Sequence, residues 1–477
     1  MSRALLKHTS SIFFLTSLTL SIVVIPLQGI AMKTTLTPRI SLGSQYEDTS
    51  GQYTPQDDDF DWSTTFSPGL LLELESPKTH ASIDYNLELP RYHYNSYRNS
   101  TRHQAASVWE QNLGRHFRLE LRDTYRESEE PLYESQVAES LREHYIYNRN
   151  NGEVNFSYLF GAEDSLGFGY RNDYLYSDTA SSEDSLRHEG FLNLDTWFTR
   201  QCGISVASSV TRGKFKEPQT SSWNESMDNF YHYEGALTLN YRWGPSHRLF
   251  TRYEFLYQDF DKNDWTINTD DYRVHQGALG LELALSPNTI ITTEGGHFEK
   301  DILTGGKKKG STFSAAITTR WERATFNIEG SGGYDEDYFS VDDLGASEYT
   351  QTEGSFNYLL TENINLSTSV RFREDKFFRG NNPSHRKDDL WYTMIGFSFS
   401  ITRALTLTLN GSYTERESWD KSAKFKNKRA IIRLVWVLKR WLTLTIDNTY
   451  TETTDNTDDL RRNQISISLI SAYPISF

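Results

Sequence analysis

Apolar and polar residues alternate along almost the whole chain, from Leu36 to Phe477. In one segment Leu405, Leu407 and Leu409 are separated by Thr406 and Thr408, and residues 231–243 and 364–373 follow the same pattern. Successive side chains of a β-strand point to opposite faces, so the pattern predicts strands with one apolar and one polar face. No window shows the apolar stripe of an amphipathic helix.

Two kinds of connection separate these segments, and they alternate along the chain. Short turns such as residues 114–116 and 322–323 are followed by long polar stretches such as residues 127–141 and 215–229. Transmembrane barrels have short turns on one side of the membrane and long loops on the other. We therefore predict an all-β, transmembrane, antiparallel outer-membrane β-barrel of about 22 strands (roughly 18–24), with no plug domain. A soluble sandwich or propeller also alternates, but its outward face would be polar rather than rich in Leu and Tyr.

The first 31 residues have the pattern of a secretory signal peptide. Basic Arg3 and Lys7 precede the apolar stretch 12–27, and small residues at 29 and 31 mark a cleavage site after Ala31. The alternative is a membrane anchor, but the uninterrupted apolar core is shorter than the roughly 20 residues that a spanning helix needs. The predicted organisation is a signal peptide over 1–31 and a barrel over 32–477.

Composition restricts the function classes. The chain after residue 31 has 47 Lys and Arg against 64 Asp and Glu, a net charge of −17 that argues against nucleic-acid binding. Mean hydropathy is only −0.63, yet there are 28 Tyr, 27 Phe and 11 Trp, which fits the aromatic girdles of a barrel. The single cysteine, Cys202, excludes an internal disulfide and zinc sites built on several cysteines.

The last nine residues also alternate, and Leu469, Tyr473, Ile475 and Phe477 share the outward face. This ending resembles the assembly signal of bacterial outer-membrane β-barrels, in which the last strand ends on an aromatic residue. The resemblance implies localisation in the bacterial cell outer membrane, with the barrel-assembly machinery as a partner.

The first predicted hairpin resembles a more specific family. Residues 37–42 (Thr-Pro-Arg-Ile-Ser-Leu) lead to Tyr46-Glu47-Asp48, and the second strand contains Ser67-Pro68-Gly69. These motifs are similar to outer-membrane barrels of the porin type from exopolysaccharide loci, including those of the exosortase and PEP-CTERM system. Thr49 departs from that family, which has Asn there. The resemblance implies a passive conduit for a surface polysaccharide, with periplasmic export components as partners and no catalytic residues.

Chemistry other than transport has little support in the sequence. The nearest Ser-His pairing, Ser384 with His385, lies in a polar loop, and no histidines stand at metal-ligand spacing on one face. We predict that the protein is not an enzyme and has no catalytic, cofactor-binding or metal-binding residues. Acidic stretches at 57–61 and 335–343 suggest either calcium ligands or solvated loop charge, and Lys307 to Lys309 either contact lipopolysaccharide phosphates or are solvated.

Charged residues on the polar strand faces are the candidate functional residues. A water-filled lumen needs polar side chains whose charges pair across strands, but a charged constriction could also select an anionic or hydroxyl-rich cargo. The predicted lumen-facing residues are Arg118, Glu120, Arg122, His232, Glu234, Arg242, Arg252, Glu254, Arg371 and Arg373. Three functions remain open: polysaccharide export, a general or substrate-specific solute porin, and a structural or adhesive barrel that acts through its loops.

Overall fold

The computed structural model describes residues 32–51, 60–128, 147–177, 184–216, 229–244, 246–261, 271–303, 306–337, 345–378, 387–418, 424–455 and 459–477. The predicted signal peptide, the acidic residues 57–59 and 342–343, and the Ser384–His385 pair lie outside these ranges. No helix within these ranges is long and apolar enough to cross a membrane.

Long β-strands make up nearly all of the described chain, and the described residues contain one short 3-10 turn, η1 (Ser96–Arg98), between the third and fourth strands. The strands are β1 (Lys33–Gly51), β2 (Phe60–Glu75), β3 (Thr79–Tyr92), β4 (Arg102–Leu113), β5 (Phe117–Ser128), β6 (Tyr147–Leu159), β7 (Ser165–Ser177), β8 (Asp184–Trp197), β9 (Cys202–Lys216), β10 (Phe230–Gly244), β11 (His247–Phe260), β12 (Tyr272–Ser286), β13 (Thr289–Ile302), β14 (Gly306–Arg320), β15 (Ala324–Asp337), β16 (Gly345–Thr361), β17 (Ile364–Phe378), β18 (Lys387–Thr402), β19 (Leu405–Ser418), β20 (Lys424–Lys439), β21 (Leu442–Asp455), β22 (Asp459–Ala472) and β23 (Ile475–Ser476).

The strands close into a barrel because β1 has a partner on each side. Each strand from β1 to β21 pairs antiparallel with the next, and β1 also pairs with β22, where Leu42 is opposite Leu469. The two-residue β23 continues along β1, with Ile475 opposite Leu36. Closure leaves no unpaired sheet edge, which a bilayer requires because lipid offers no hydrogen-bond partners.

Tight turns form one end of the barrel. In the β2–β3 turn the amide of Ser76 donates to the carbonyl of Thr79 at 2.8 Å, and the Ser76 hydroxyl accepts from the amide of Thr79. The β4–β5 turn contains Gly114 at φ 86°, a conformation that glycine adopts without a steric cost. Both ends of the described chain, at β1 and β23, lie at this turn end, and the longer connections lie at the other.

The two faces of the wall differ in chemistry. On β10, Leu237, Leu239 and Tyr241 are 38–48% exposed, whereas Thr238 and Asn240 between them point to the opposite face. Exposed apolar side chains recur at alternate positions around the barrel, so this face lies against lipid and the other faces the lumen.

One compact apolar group, here called the aromatic cluster, is buried near the loop end of β10–β13. It consists of Phe230, Phe260, Tyr272, Val274 and Phe298. Glycines on neighbouring strands leave space for two of its rings. A Cβ atom at Gly213 would lie 2.7 Å from the Phe230 ring, and one at Gly310 would lie 2.4 Å from the Phe298 ring. The rings therefore lie flat over backbone, and Phe298 is 0% exposed.

Candidate functional site

All ten predicted lumen residues lie on strand faces opposite the exposed apolar side chains. Arg118, Glu120 and Arg122 alternate with Leu119 and Leu121 on β5, and Phe117 and Leu119 pair with Tyr158 and Phe156 on the lipid face of β6. The other seven residues lie on β10, β11 and β17, and the strand register places them on the lumen face there as well.

Most of these residues are already paired with an opposite charge. On β5, Arg118 is 2.8 Å from Glu110 of β4, and Arg122 forms an ion pair with Glu120 of its own strand. Cross-strand pairing of this kind neutralises the wall locally and satisfies the donors of each guanidinium.

A row of alternating charges crosses four consecutive strands. The strand register places Arg122 of β5 opposite Glu153 of β6, Glu153 opposite Arg171 of β7, and Arg171 opposite Glu189 of β8. Arg171 joins both carboxylates: Nε is 3.3 Å from Glu153 and Nη1 is 3.4 Å from Glu189. We call these four residues the lumen ladder.

Side chains next to the lumen ladder extend the network. Arg187 lies 2.9 Å from Glu189 on the same strand, and Arg149 binds Asp173 through two hydrogen bonds of 2.6 and 3.0 Å. The Arg171 guanidinium carbon lies 5.5 Å from the ring centre of Phe191, two residues beyond Glu189 on the same face. Basic, acidic and aromatic groups therefore meet on one part of the lumen wall.

The predicted residues on β10 occupy different surroundings along the strand. His232 Nδ1 lies 2.7 Å from the side-chain oxygen of Gln258, and Glu234 follows two positions nearer the turn end. Arg242, close to the turn end, lies 2.7 Å from Glu163 and stacks 3.6 Å from the Trp197 ring centre. These three residues share a face but do not form one site.

The residues on β11 and β17 form two further, separate groups. Arg252 is 3.5 Å from Glu254 and 3.9 Å from Glu294, and Gln276 donates to Glu254 at 2.9 Å. On the β15–β17 wall, Arg371 is 2.7 Å from Glu353. Its neighbour Arg373 binds Asp335 at 2.6 Å and Asp375 at 2.8 Å, and it lies over the Tyr349 ring. The sequence-based candidates thus lie in several groups around the lumen rather than at one constriction.

Three of the four ladder residues, Glu153, Arg171 and Glu189, are not among the residues predicted from the sequence. They lie on three different strands, and the pattern within one strand does not show which residues of the next strand are opposite them. Only the register between strands aligns them, and a shift by one residue would move each side chain to the lipid face.

The predicted assembly residues lie at the closing seam. Leu469 is opposite Leu42, and the amide of Tyr473 donates to the carbonyl of Pro38 at 3.2 Å. Ile475 is opposite Leu36, and Phe477, 77% exposed, donates its amide to the carbonyl of Thr34 at 2.9 Å. The end of the chain is therefore paired with its first described strand, and the role of these residues in assembly stays a prediction.

A second set of charges lies on the outward face, beyond the apolar band towards the loop end. On β12 the outward leucines at 279, 281 and 283 give way to His275 and then Arg273, and on β13 Glu299 and Asp301 occupy the same level. Lys307 and Lys309 bind Glu299 at 2.8 and 2.9 Å. Hydrogen bonds from Lys307, and then Lys309, lower the pKa of Glu299 to about 2. Within the described ranges, no group of three or more His, Cys, Asp or Glu residues is arranged to hold a metal ion.

The barrel is similar to solved outer-membrane receptors. The FrpB iron transporter from Neisseria meningitidis aligns with a TM-score of 0.58 at 7% identity, over 91% of this chain and 82% of that chain. The siderophore receptor PirA from Acinetobacter baumannii aligns with 0.54 at 8% identity, over 91% and 80%. The ferric enterobactin receptor PfeA from Pseudomonas aeruginosa aligns with 0.54 at 9%, over 92% and 81%. No protein-family model and no curated protein matches the sequence. At these identities the likeness shows the fold.

This comparison corrects the predicted fold class. We predicted a fold class without a plug domain, separate from the plugged transporters. That fold class is wrong. The closed 22-stranded antiparallel barrel is similar in fold to TonB-dependent receptors, which have a plug domain, although the described residues here form wall strands and one 3-10 turn. Strand number and closure are determined by the wall residues and their register, so the contents of the lumen do not define the barrel class.

The predicted location is confirmed. A 22-stranded barrel of this kind places the protein in the bacterial outer membrane. The solved structures to which the barrel is similar are receptors and transporters rather than enzymes.

Proposed function

We propose that this protein is an outer-membrane transport barrel and that its cargo is an exported surface polysaccharide. The observation that carries the proposal is the lumen wall, whose arginines are neutralised by neighbouring carboxylates from β4 to β8 and again at β15–β17. Such a wall is strongly polar without a large local excess of either charge. A hydrated, hydroxyl-rich polymer can pass along it without leaving buried charges unpaired.

Two further arguments support a polymer cargo. The lumen face of β19 adds hydroxyl and amide groups at Thr406, Thr408 and Asn410, which exchange hydrogen bonds with sugars as readily as with water. The motifs of the first hairpin resemble barrels from exopolysaccharide loci, and this resemblance is the argument that points to polysaccharide specifically. We propose lipopolysaccharide, the barrel-assembly machinery and periplasmic export components as partners.

A second candidate function is uptake of an iron chelate. It is favoured by the structural similarity to an iron transporter and to siderophore receptors. The sequence identity of 7–9% leaves the ligand open, because binding sites change while a barrel wall is kept.

Deletion of the gene in its own host tests the proposal. We expect loss of surface polysaccharide, measured as cell-bound and secreted sugar, with unchanged growth on limiting iron and unchanged uptake of small sugars. Re-expression of the full chain should restore the polymer.

The alternatives predict other outcomes. Normal polymer with poor growth on ferric siderophores would replace the proposal with the uptake function. Normal polymer with reduced permeation of small solutes would identify a porin. Normal polymer and transport with lost surface attachment would indicate an adhesive barrel.

A further inference from the structure

The lumen ladder differs from the other charged groups of the wall in its continuity. Its four members oppose one another on four adjacent strands, so a basic and an acidic group alternate at every strand spacing of about 4.8 Å. By contrast, the row through Arg371 runs from Glu329 through Glu353 to Tyr392, which places two carboxylates side by side. Arg433 and Asp447 form an isolated pair on β20 and β21.

Three of the four ladder side chains are accessible from the lumen. The side chains of Arg122, Arg171 and Glu153 are 57%, 46% and 32% exposed, whereas that of Glu189 is 11% exposed beneath Arg171 and Arg187. Their ion pairs leave several guanidinium N–H groups and carboxylate lone pairs free for a ligand, since an arginine offers five donors and a carboxylate about four acceptor sites. Phe191 adds an apolar ring beside Arg171.

This order of groups selects one ligand chemistry. A simple anion gains from the arginines but is repelled by the carboxylates between them, and a cation meets the reverse. A hydroxyl group both donates and accepts, so a chain of hydroxyls can bind each exposed member of the ladder, Arg122, Glu153 and Arg171. The strand spacing is close to the length of one sugar ring, and a ring presents an apolar C–H face to Phe191.

We propose that Arg122, Glu153 and Arg171, together with Phe191, form a binding track for a neutral polyhydroxylated chain, that is, a carbohydrate, and that the buried Glu189 holds Arg171 in place. The proposal rests on the proposed function in that it assigns the cargo a contact site on the wall. Binding at each residue is weak because a sugar hydroxyl replaces a water molecule in the hydrogen bond. Weak, repeated binding allows a polymer to pass along the wall without being held.

The test uses the purified full-length barrel in planar lipid bilayers, with maltohexaose as the neutral probe and hexagalacturonate as the anionic probe. Wild type should show transient current blockades with maltohexaose. The double variant Glu153→Ala/Arg171→Ala should shorten the blockades about fivefold through lost hydrogen bonds. It removes both charges of one pair, while Arg122 keeps Glu120 and Glu189 keeps Arg187.

The matched control is Arg433→Ala/Asp447→Ala, which removes the isolated pair, joined at 2.5 Å, from another part of the lumen wall. Its blockades should equal those of wild type. Equal shortening in both double variants, or no blockade by maltohexaose in wild type, would overturn the track. So would blockades by hexagalacturonate alone, which would assign the wall to anions.

A second variant keeps the test valid if the ladder variant fails to insert. Phe191→Leu retains all charges and removes only the ring, and it should shorten maltohexaose blockades with unchanged conductance. Unchanged blockades in Phe191→Leu would show that the Phe191 ring does not contact the sugar. The track and the proposed function fail separately: a deletion strain with normal polymer refutes export even if maltohexaose binds. Loss of polymer without maltohexaose binding refutes the track alone.

Discussion

The lumen ladder and the aromatic cluster occupy the same type of strand face and have opposite surroundings. Arg171 of the ladder is 46% exposed, whereas Phe298, and Gln258 opposite Tyr272 of the cluster, are 0% exposed. The alternation is the same in both regions, since Phe230 shares a face of β10 with His232, which is two positions away. The alternation therefore determines which face a residue occupies, but it does not determine whether that part of the face is exposed to water.

The difference lies in the residue across the strand. A ladder residue is opposed by another long side chain, and Arg122, Glu153 and Arg171 remain exposed to the lumen. In the cluster, Phe298 is opposed by Gly310 and Phe230 by Gly213, so each ring turns sideways onto the neighbouring backbone. The rings then contact one another and exclude water. Lys300 is only 4% exposed there, 3.5 Å from the Tyr272 ring centre, and donates to the Tyr334 hydroxyl at 2.7 Å.

Removal of the most buried ring should have the largest effect. Phe298→Ala should lower the free energy of unfolding by about 3–5 kcal/mol, because it deletes a fully buried side chain and leaves a cavity. Urea unfolding in lipid vesicles measures this. Phe313→Ala is the control, since Phe313 also covers a glycine, Gly332, but is 46% exposed on the lipid face. A loss at Phe313 equal to that at Phe298 would contradict the existence of a dry cluster.

A methyl group added beneath the same ring should have the next largest effect. Gly310→Ala places a Cβ atom 2.4 Å from the Phe298 ring, which is enclosed and cannot move freely. We expect a loss of about 1–3 kcal/mol from overpacking. Gly295→Ala, with no heavy atom within 4 Å of its Cβ, should be nearly neutral in the same unfolding assay. Similar stability of the two variants would show that the glycines do not shape the cluster.

These two regions also show which features of the structure could be predicted from the sequence. Alternation and connection length are local properties, and they predict the wall, the location and the face of each charged candidate. The ladder depends on the register of four strands. Glu153 and Glu189 belong to one row only because the register places Arg171 between them. The cluster likewise depends on which glycine faces which ring. Neither arrangement can be obtained from one strand alone.

Loss of one ladder charge should affect stability less than either change in the cluster. Arg171→Gln should lower the free energy of unfolding by less than about 1 kcal/mol, because exposed ion pairs contribute little and Glu189 keeps Arg187. Arg433→Gln, at the isolated pair, should behave alike in vesicle unfolding. A loss at Arg171 as large as that for Phe298→Ala would mean that the ladder is a structural core rather than a wet surface.

The smallest effect concerns an ion pair that belongs to neither region, at Glu299 on the outward face. Lys307 and Lys309 lower the pKa of this carboxyl to about 2, so the folded state holds its charge more tightly than the unfolded chain does. A depressed pKa contributes stability above the unfolded value of about 4.5, and that contribution is lost as pH falls from there through about 2. The difference in melting temperature between wild type and Glu299→Gln should therefore be small and constant from pH 7 to about pH 5. It should then shrink steadily towards pH 2. A difference that persists unchanged at pH 2 would show that the two lysines do not hold the carboxylate, and one that is already lost at pH 6 would contradict the lowered pKa.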